Sequence, residues 1–264
     1  MSTRMRDVMT AAWDELRYEP IEKRIRADDA VDSSRALLVW EPRRVVPSYA
    51  VPAEDVTAEM VSAPAAAGED VPGVLHPGIP FAVHSAPGEP VTIGGRVGAG
   101  FRLADPAGYV ELDFSAFDAI YEEDERVYGH PRDPFSRVDV RRTSRPVRIE
   151  LDGVVLASST NARMLFETGI HTRFYLPKED VRGSLVASER RSYCPYKGEA
   201  SYWTLDGRKD VAWSYEQPLP DMRQIAGLVA FWDEQVDVFV DGVRRPRPGG
   251  PIADAMSDEF GVTG

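Results

Sequence analysis

Cysteine is almost missing from this chain of 264 residues: Cys194 is the only one, and there are four histidines. A single thiol cannot close an internal disulfide, so a reducing cytoplasm is the expected compartment. So few sulfur and imidazole ligands exclude a cysteine-rich zinc cage, and the sequence assigns neither a metal site nor a bound organic cofactor. Long apolar runs are missing too; none approaches the roughly 20 residues that span a bilayer. The opening "MSTRMRDVMTAAWDELRYEP" has no apolar signal core and no small-residue cleavage site. Positive charge is in deficit: 31 Lys and Arg stand against 43 Asp and Glu, for a formal net charge of −12. Such a surface repels phosphate backbones and anionic lipid, so neither nucleic acid nor membrane is expected as a partner. Neither a Gly-x-Ser-x-Gly elbow nor a phosphate loop occurs; "GGRVGAG" (94–100) lacks the lysine and the helix of a phosphate loop.

What is present is enough apolar residue, 43%, for a packed core, and an internal repeat. "PIEKRIRADDAVDSSRALLVWE" (20–41) aligns without a gap on "PVRIELDGVVLASSTNARMLFE" (146–167). Pro20 falls on Pro146, Ser33 on Ser159, Ala36 on Ala162 and Glu41 on Glu167. After a one-residue slip, "YAVPAEDV" (49–56) falls on "FYLPKEDV" (174–181). Shared β composition alone would not reproduce Pro, Ser and Glu-Asp in register. Further on, the repeat is read with Gly88-Glu89 on Gly198-Glu199, which sets His84 on Cys194 and Pro87 on Lys197.

The periodicity is mostly that of strands. Three Asp-Gly pairs, in "VRIELDGVVLAS", "TLDGRKDVAWSY" and "VDVFVDGV", lie between alternating apolar runs and predict hairpins. A helical face, Met5, Val8, Met9, Ala12, Trp13 and Leu16, predicts one short helix at the start. The expected fold is mainly β: two tandem homologous small β domains, rolled sheets or sandwiches, behind an N-terminal helix. The expected segments are a helical stretch at 1–17, a first domain at 18–128, an ordered linker at 129–145, a second domain at 146–245 and a tail at 246–264.

Five stretches of the second unit, "VRIELDGVVLASS", "FETGIHTRFYLPKEDV", "CPYKGEASYW", "DVAWSYEQP" and "GLVAFWDEQVDVFVDG", follow one another as they do in the bacterial DUF427 family, which the chain resembles. "YEPIEKRIRA", "LLVWEPRRVVPSYAVPAEDV" and "HPRDPFSRVDVRRTSRPVRIELDG" resemble the upstream copy of tandem DUF427 proteins. The resemblance implies a mainly-β fold and a bacterial source. The family's function is unknown, although it also bears the label nucleotidyltransferase; it brings no assigned catalytic residues with it.

Candidate chemistry comes from three stretches. In "CPYKGEASYW" (194–203), Cys194 is a nucleophile only as thiolate, and Lys197 is the nearby cation that would favour that form. Pro195 and Gly198 break the strand and can turn both side chains into one pocket, where Tyr196 or Tyr202 could orient a ligand. The alternative is a buried thiol and a solvated lysine. Between the two, Lys197 is the expected working group. In "DVAWSYEQP", Val211, Trp213 and Tyr215 alternate onto one face, either as the wall of a ligand site or as sheet core. The connecting "GHPRDPFSRVD" carries His130, which titrates near neutral pH, with Arg132, Asp133 and Arg137. These either clamp a carboxylate or phosphate or lock one unit against the other by Arg–Asp pairs.

The expected function is a small-molecule enzyme whose pocket lies in the second unit or at the seam. Lys197, Cys194 and His130 would be the catalytic groups; Tyr202, Trp213, Tyr215, Arg132, Asp133 and Arg137 would bind a small-molecule ligand or substrate, anionic ones included. The alternatives are a tandem β protein that holds a metabolite or peptide without catalysis, and an interaction scaffold.

Overall fold

The computed structural model describes residues 14–65 and 71–249, with 253, 254, 257 and 261 beyond them. Of the expected N-terminal helix over 1–17, Met5 to Trp13 lie outside the described residues, while residues 14–16 are not helical and Arg17 already opens a strand. The chain is mainly β and divides into two compact units between Asp133 and Pro134. The stretch 129–145, expected as a linker, is therefore shared out. His130 to Asp133 close the first unit, and 138–142 form a paired strand of the second.

The first unit holds β1 (Arg17–Pro20), β2 (Ile25–Ala27), β3 (Val31–Ser33), β4 (Leu37–Trp40), β5 (Ser48–Pro52) and β6 (Met60–Ser62). It continues with β7 (Gly88–Ile93), β8 (Arg96–Leu103), β9 (Tyr109–Leu112), β10 (Ile120–Glu122) and β11 (Glu125–Val127). A seven-stranded antiparallel sheet runs β1-β4-β5-β9-β8-β7-β6, and a four-stranded one runs β11-β10-β2-β3.

The second unit holds β12 (Val138–Arg142), β13 (Val147–Leu151), β14 (Val154–Ser159), β15 (Arg163–Glu167), β16 (Ile170–Tyr175) and β17 (Leu185–Cys194). After them come β18 (Gly198–Leu205), β19 (Arg208–Ser214), β20 (Val229–Phe231), β21 (Asp237–Val240) and β22 (Val243–Arg244). Its sheets run β12-β15-β16, β17-β18-β19-β20 and β14-β13-β21-β22. Leu176 and Val229 exchange both backbone hydrogen bonds, at 2.8 Å each, and so join β16 to β20. Read through that bridge, the strand order is β12-β15-β16-β20-β19-β18-β17, position for position the order of the large sheet of the first unit.

Small features recur at matching places. Ser33 Oγ and Ser159 Oγ each accept the amide two residues on, of Arg35 and Asn161, at 3.1 and 2.9 Å. A 3-10 turn follows each Pro of the shared motif, at Ala53–Asp55 and Lys178–Asp180. The pairing register departs from the sequence alignment in one respect. Pro90 pairs with Phe101 and Tyr202 with Trp213, while Phe101 and Trp213 in turn oppose Glu111 and Ala230. That register sets Gly88 against Ala200 and His84 against Tyr196, two residues from the alignment with Cys194. The loop before the strand changes length between the units, and sequence identity alone does not locate the change.

The three Asp-Gly pairs form the predicted turns. Asp152-Gly153, Asp206-Gly207 and Asp241-Gly242 all have positive φ at both residues, as a two-residue turn between twisted strands requires.

Each large sheet has two buried faces. In the second unit one face meets the small sheet through Ile149, Leu156, Phe174, Leu176, Val229, Phe231 and Val238. The other carries Leu165, Tyr175, Tyr202, Trp213, Tyr215 and Trp232, covered by Met222 and Ile225 of a 3-10 turn, Pro220–Ile225. Burying a side chain of this size contributes ~1.5–3 kcal/mol, so that short turn is held by its two apolar residues. The polar groups described next sit on this second face. Among the described residues, no helix is long and apolar enough to cross a membrane.

Candidate functional site

The stretch around Cys194 is a hairpin turn. β17 ends at Cys194, β18 starts at Gly198, and the Lys197 amide closes the turn on the Cys194 carbonyl at 3.1 Å. Gly198 takes φ +102°, a conformation that L side chains rarely adopt, and the Leu219 amide donates to the Lys197 carbonyl at 3.0 Å. The backbone of Lys197 is thereby fixed on both sides and its side chain is driven inward. Nζ meets Glu167 Oε2, at the end of β15, at 2.5 Å. Burial alone would lower the Lys197 amine, but the Glu167 carboxylate more than reverses this and holds it above its ordinary value. The Glu167 carboxylate thus favours the charged form of Lys197.

Cys194 is partly buried and packs against the aromatic face of the sheet. Tyr202, Trp213 and Tyr215 lie inside that face rather than lining an open pocket, at 2%, 7% and 5% exposure. Trp213 and Tyr215 both pack against Tyr175, with ring centroids 6.4 Å apart in each case, and Trp213 lies 4.5 Å from Trp232. Burial pushes the Tyr175 hydroxyl up to about 12, so it stays a neutral donor and acceptor. Val211 does not share their cluster; it joins the core between the sheets. The aromatic wall expected at a ligand site is core, because the 3-10 turn Pro220–Ile225 covers it.

Of the connecting residues, His130, Arg132 and Asp133 belong to the first unit and Arg137 to the second. His130 Nδ1 lies 2.7 Å from the Pro131 carbonyl, and Asp133 accepts from Trp40 Nε1 at 3.1 Å. Arg132 is exposed. Arg137 pairs with Asp139, and Arg141 approaches the same carboxylate at 3.5 Å.

Arg137 also lines an open hollow of about 450 Å³ with Asp139, Arg141, Phe166, Glu167 and Thr168. Glu167 links this hollow to the buried pair: it is one of the lining residues, and its Oε2 also accepts from Lys197 Nζ. A second hollow, of about 440 Å³, is lined by Arg208, Lys209, Arg247, Gln235 and Asp152 among others. It is similar in size, but no buried ion pair fixes its wall, so the first is the better-built candidate.

A further charged cluster on the same face was not singled out from the sequence. Arg173 grips Glu234 with two hydrogen bonds, at 2.9 and 2.6 Å, and lies 3.5 Å from Asp233. Its guanidinium stacks over Trp213 and Trp232. His171 Nε2 stands 3.7 Å from Asp233 and 3.8 Å from Glu234. Burial pulls His171 down to about 4 and pushes Asp233 up to about 6. The available signal was the alternation of His171 and Arg173 along β16, which puts both on one face.

The fold and site define a mainly-β protein whose buried lysine–carboxylate pair supports the floor of an open, arginine-rimmed hollow. Residues 139–242 match the family described as Domain of unknown function (DUF427). No curated protein matches the chain.

Proposed function

We propose that the second unit is a binding module for a small anionic molecule, seated in the hollow above Glu167. The observation that carries this reading is the Lys197–Glu167 pair. A lysine already spent on a carboxylate, with its amine held charged, is poorly placed to abstract a proton or attack a carbonyl. It is well placed to fix the wall of a site. Arg137 and Arg141 bring two positive charges to this wall and Asp139 and Glu167 two negative ones, and Lys197, behind the wall, neutralises Glu167, in a chain of net charge −12. Arginine at the rim suits planar or tetrahedral oxyanions, and the half-exposed Phe166 offers an apolar surface to the rest of the ligand. Cys194 and the aromatic residues belong, on this reading, to the packing behind the site. The first unit is read as a diverged copy of the same module, on the strength of the repeated strand order and the matching serine turns. Cytoplasmic residence follows from the lone thiol.

A thermal-shift screen of the full chain tests the reading, using monocarboxylates, dicarboxylates, inorganic phosphate and nucleoside triphosphates, each beside a neutral analogue. Nucleoside triphosphates are the arm that a nucleotidyltransferase would favour. Anions should raise the melting temperature where their neutral analogues do not, and Arg141→Ala should remove the shift. Stabilisation by neutral compounds alone, or an undiminished shift in Arg141→Ala, would rule the reading out.

A further inference from the structure

In the first unit the face equivalent to that of Lys197 and Glu167 is built differently. Glu41, which the repeat sets on Glu167, is fully buried just after β4. Its Oε2 accepts the amides of Ser85 and Ala86 at 2.7 and 2.9 Å, and its Oε1 takes Arg44 Nε at 2.9 Å. His84 Nδ1 stands 3.0 Å from the same Oε1. A second carboxylate, Glu111 of β9, lies where the second unit has Ala230, by the shared register opposite Phe101 and Trp213. Glu111 has no exposed surface, and neither of its oxygens makes a well-formed hydrogen bond, Ser48 and Arg44 being the donor and the cation that act on it from nearby. Its Oε2 is 4.0 Å from His84 Nδ1.

We propose that Glu41, His84 and Glu111 form a binding site for one divalent transition-metal ion, such as zinc or manganese. One ligand atom from each residue lies within 4.8 Å of the other two. Metal–ligand bonds of about 2.0–2.2 Å place neighbouring ligands of a tetrahedral ion roughly 3.3 Å apart. The observed 3.0 and 4.0 Å lie on either side of that value, so small side-chain rotations would close the set. The imidazole is already oriented. It stacks on Phe101 with centroids 3.5 Å apart and planes 9° apart, and Phe81 meets it edge-on at 4.7 Å. The Ser85 and Ala86 amides fix the Glu41 carboxylate in the way that outer-shell donors orient metal ligands.

The fully buried Glu111 carboxylate, without a well-formed hydrogen bond, is the decisive point. Beside Glu41 its charge is costly to bury, Ser48 and Arg44 offset this only in part, and a cation at this position would answer it. Two carboxylate oxygens with one imidazole nitrogen suit borderline and hard divalent ions rather than soft copper(I). A fourth, open position would be left for water or an anionic ligand. The rival is a proton on Glu111, since burial pushes its carboxyl well above the usual range.

The test uses the untagged full chain, stripped with chelator, loaded separately with Zn²⁺ or Mn²⁺, and dialysed against excess Mg²⁺ to clear ions from the acidic surface. The wild-type chain should retain about one equivalent of one of the two metals by mass spectrometry, and that metal should raise its melting temperature. Glu111→Gln removes the buried charge at constant shape, so it should keep the fold and lose both effects, with affinity reduced at least about tenfold. Co²⁺ in place of the metal should show a visible ligand-field band in the wild type and not in Glu111→Gln. Retention below about a tenth of an equivalent by the wild-type chain, or equal retention by Glu111→Gln, would overturn the proposal and leave the proton as the partner of Glu111.

Discussion

Lys197 Nζ lies 2.5 Å from Glu167 Oε2, and the two side chains are only 10% and 11% exposed. Removing one member of such a pair leaves the other charge buried and unanswered, typically at a cost of about 3–5 kcal/mol. Lys197→Met should therefore lower stability by that order in urea unfolding. Lys197→Met combined with Glu167→Gln should recover most of the loss, because no lone charge remains. A single substitution costing less than about 1 kcal/mol would show the pair to be solvated, as surface pairs are.

Gly198 should resist substitution for a different reason. Its φ of +102° lies where an L side chain is strained, and an added Cβ would stand 3.4 Å from the Leu219 amide nitrogen. That amide holds the Lys197 carbonyl, so the strain falls on the turn that aims Lys197. Gly198→Ala should cost about 1–3 kcal/mol in denaturant titration and weaken anion binding at the hollow together with the fold. An alanine variant as stable as the parent would mean that the turn can relax and that Lys197 does not depend on it.

Much of the fold was legible in the residues because its signals are local. Three Asp-Gly pairs set three turns, and Ser33 and Ser159 bond amides two residues away. Cys194 to Gly198 reads as a broken strand because proline and glycine act on their own backbone. The site was legible only in part. Lys197 was singled out, but its partner is 30 residues distant, and Glu234 is 61 residues from Arg173. Pairings at that range depend on strand order, which spacing alone does not state. The alternation of Trp213 and Tyr215 was correct as a strand pattern. Whether that face meets a ligand or a packed turn is decided by Met222 and Ile225, in a segment whose position over the sheet has no local signature.

Cys194 supplies a contrast within the same turn. It packs against the aromatic face, with its backbone carbonyl holding the Lys197 amide. Cys194→Ala keeps that backbone bond and removes one partly buried sulfur, so it should cost about 1 kcal/mol, the middle of the range for single substitutions. Anion binding should survive. Loss of binding in Cys194→Ala with stability unchanged would put the thiol in the site after all.

His171 and Asp233 give opposed pH dependences that single substitutions should separate. His171 falls from 6.5 unfolded to about 4 in the native state through burial, with Arg173 adding to it. Between these values the unfolded chain binds more protons, so this contribution is present above pH 6.5 and is lost as pH falls toward 4. Asp233 rises from 3.8 to about 6 through burial, Arg173 opposing and Glu234 adding. There the native state binds more protons, so stability is lost as pH rises from about 4 to 6. At about 1.4 kcal/mol per unit each effect is roughly 3 kcal/mol, and in the wild-type chain they nearly cancel. Asp233→Asn leaves the histidine effect alone, so its stability relative to wild type should rise by about 2–3 kcal/mol from pH 4 to pH 7. His171→Gln leaves the carboxyl effect alone, and its stability relative to wild type should fall over the same interval. Urea midpoints at half-unit pH steps would measure both. Two variant curves running parallel to the wild type would mean that neither group is as buried as this geometry places it.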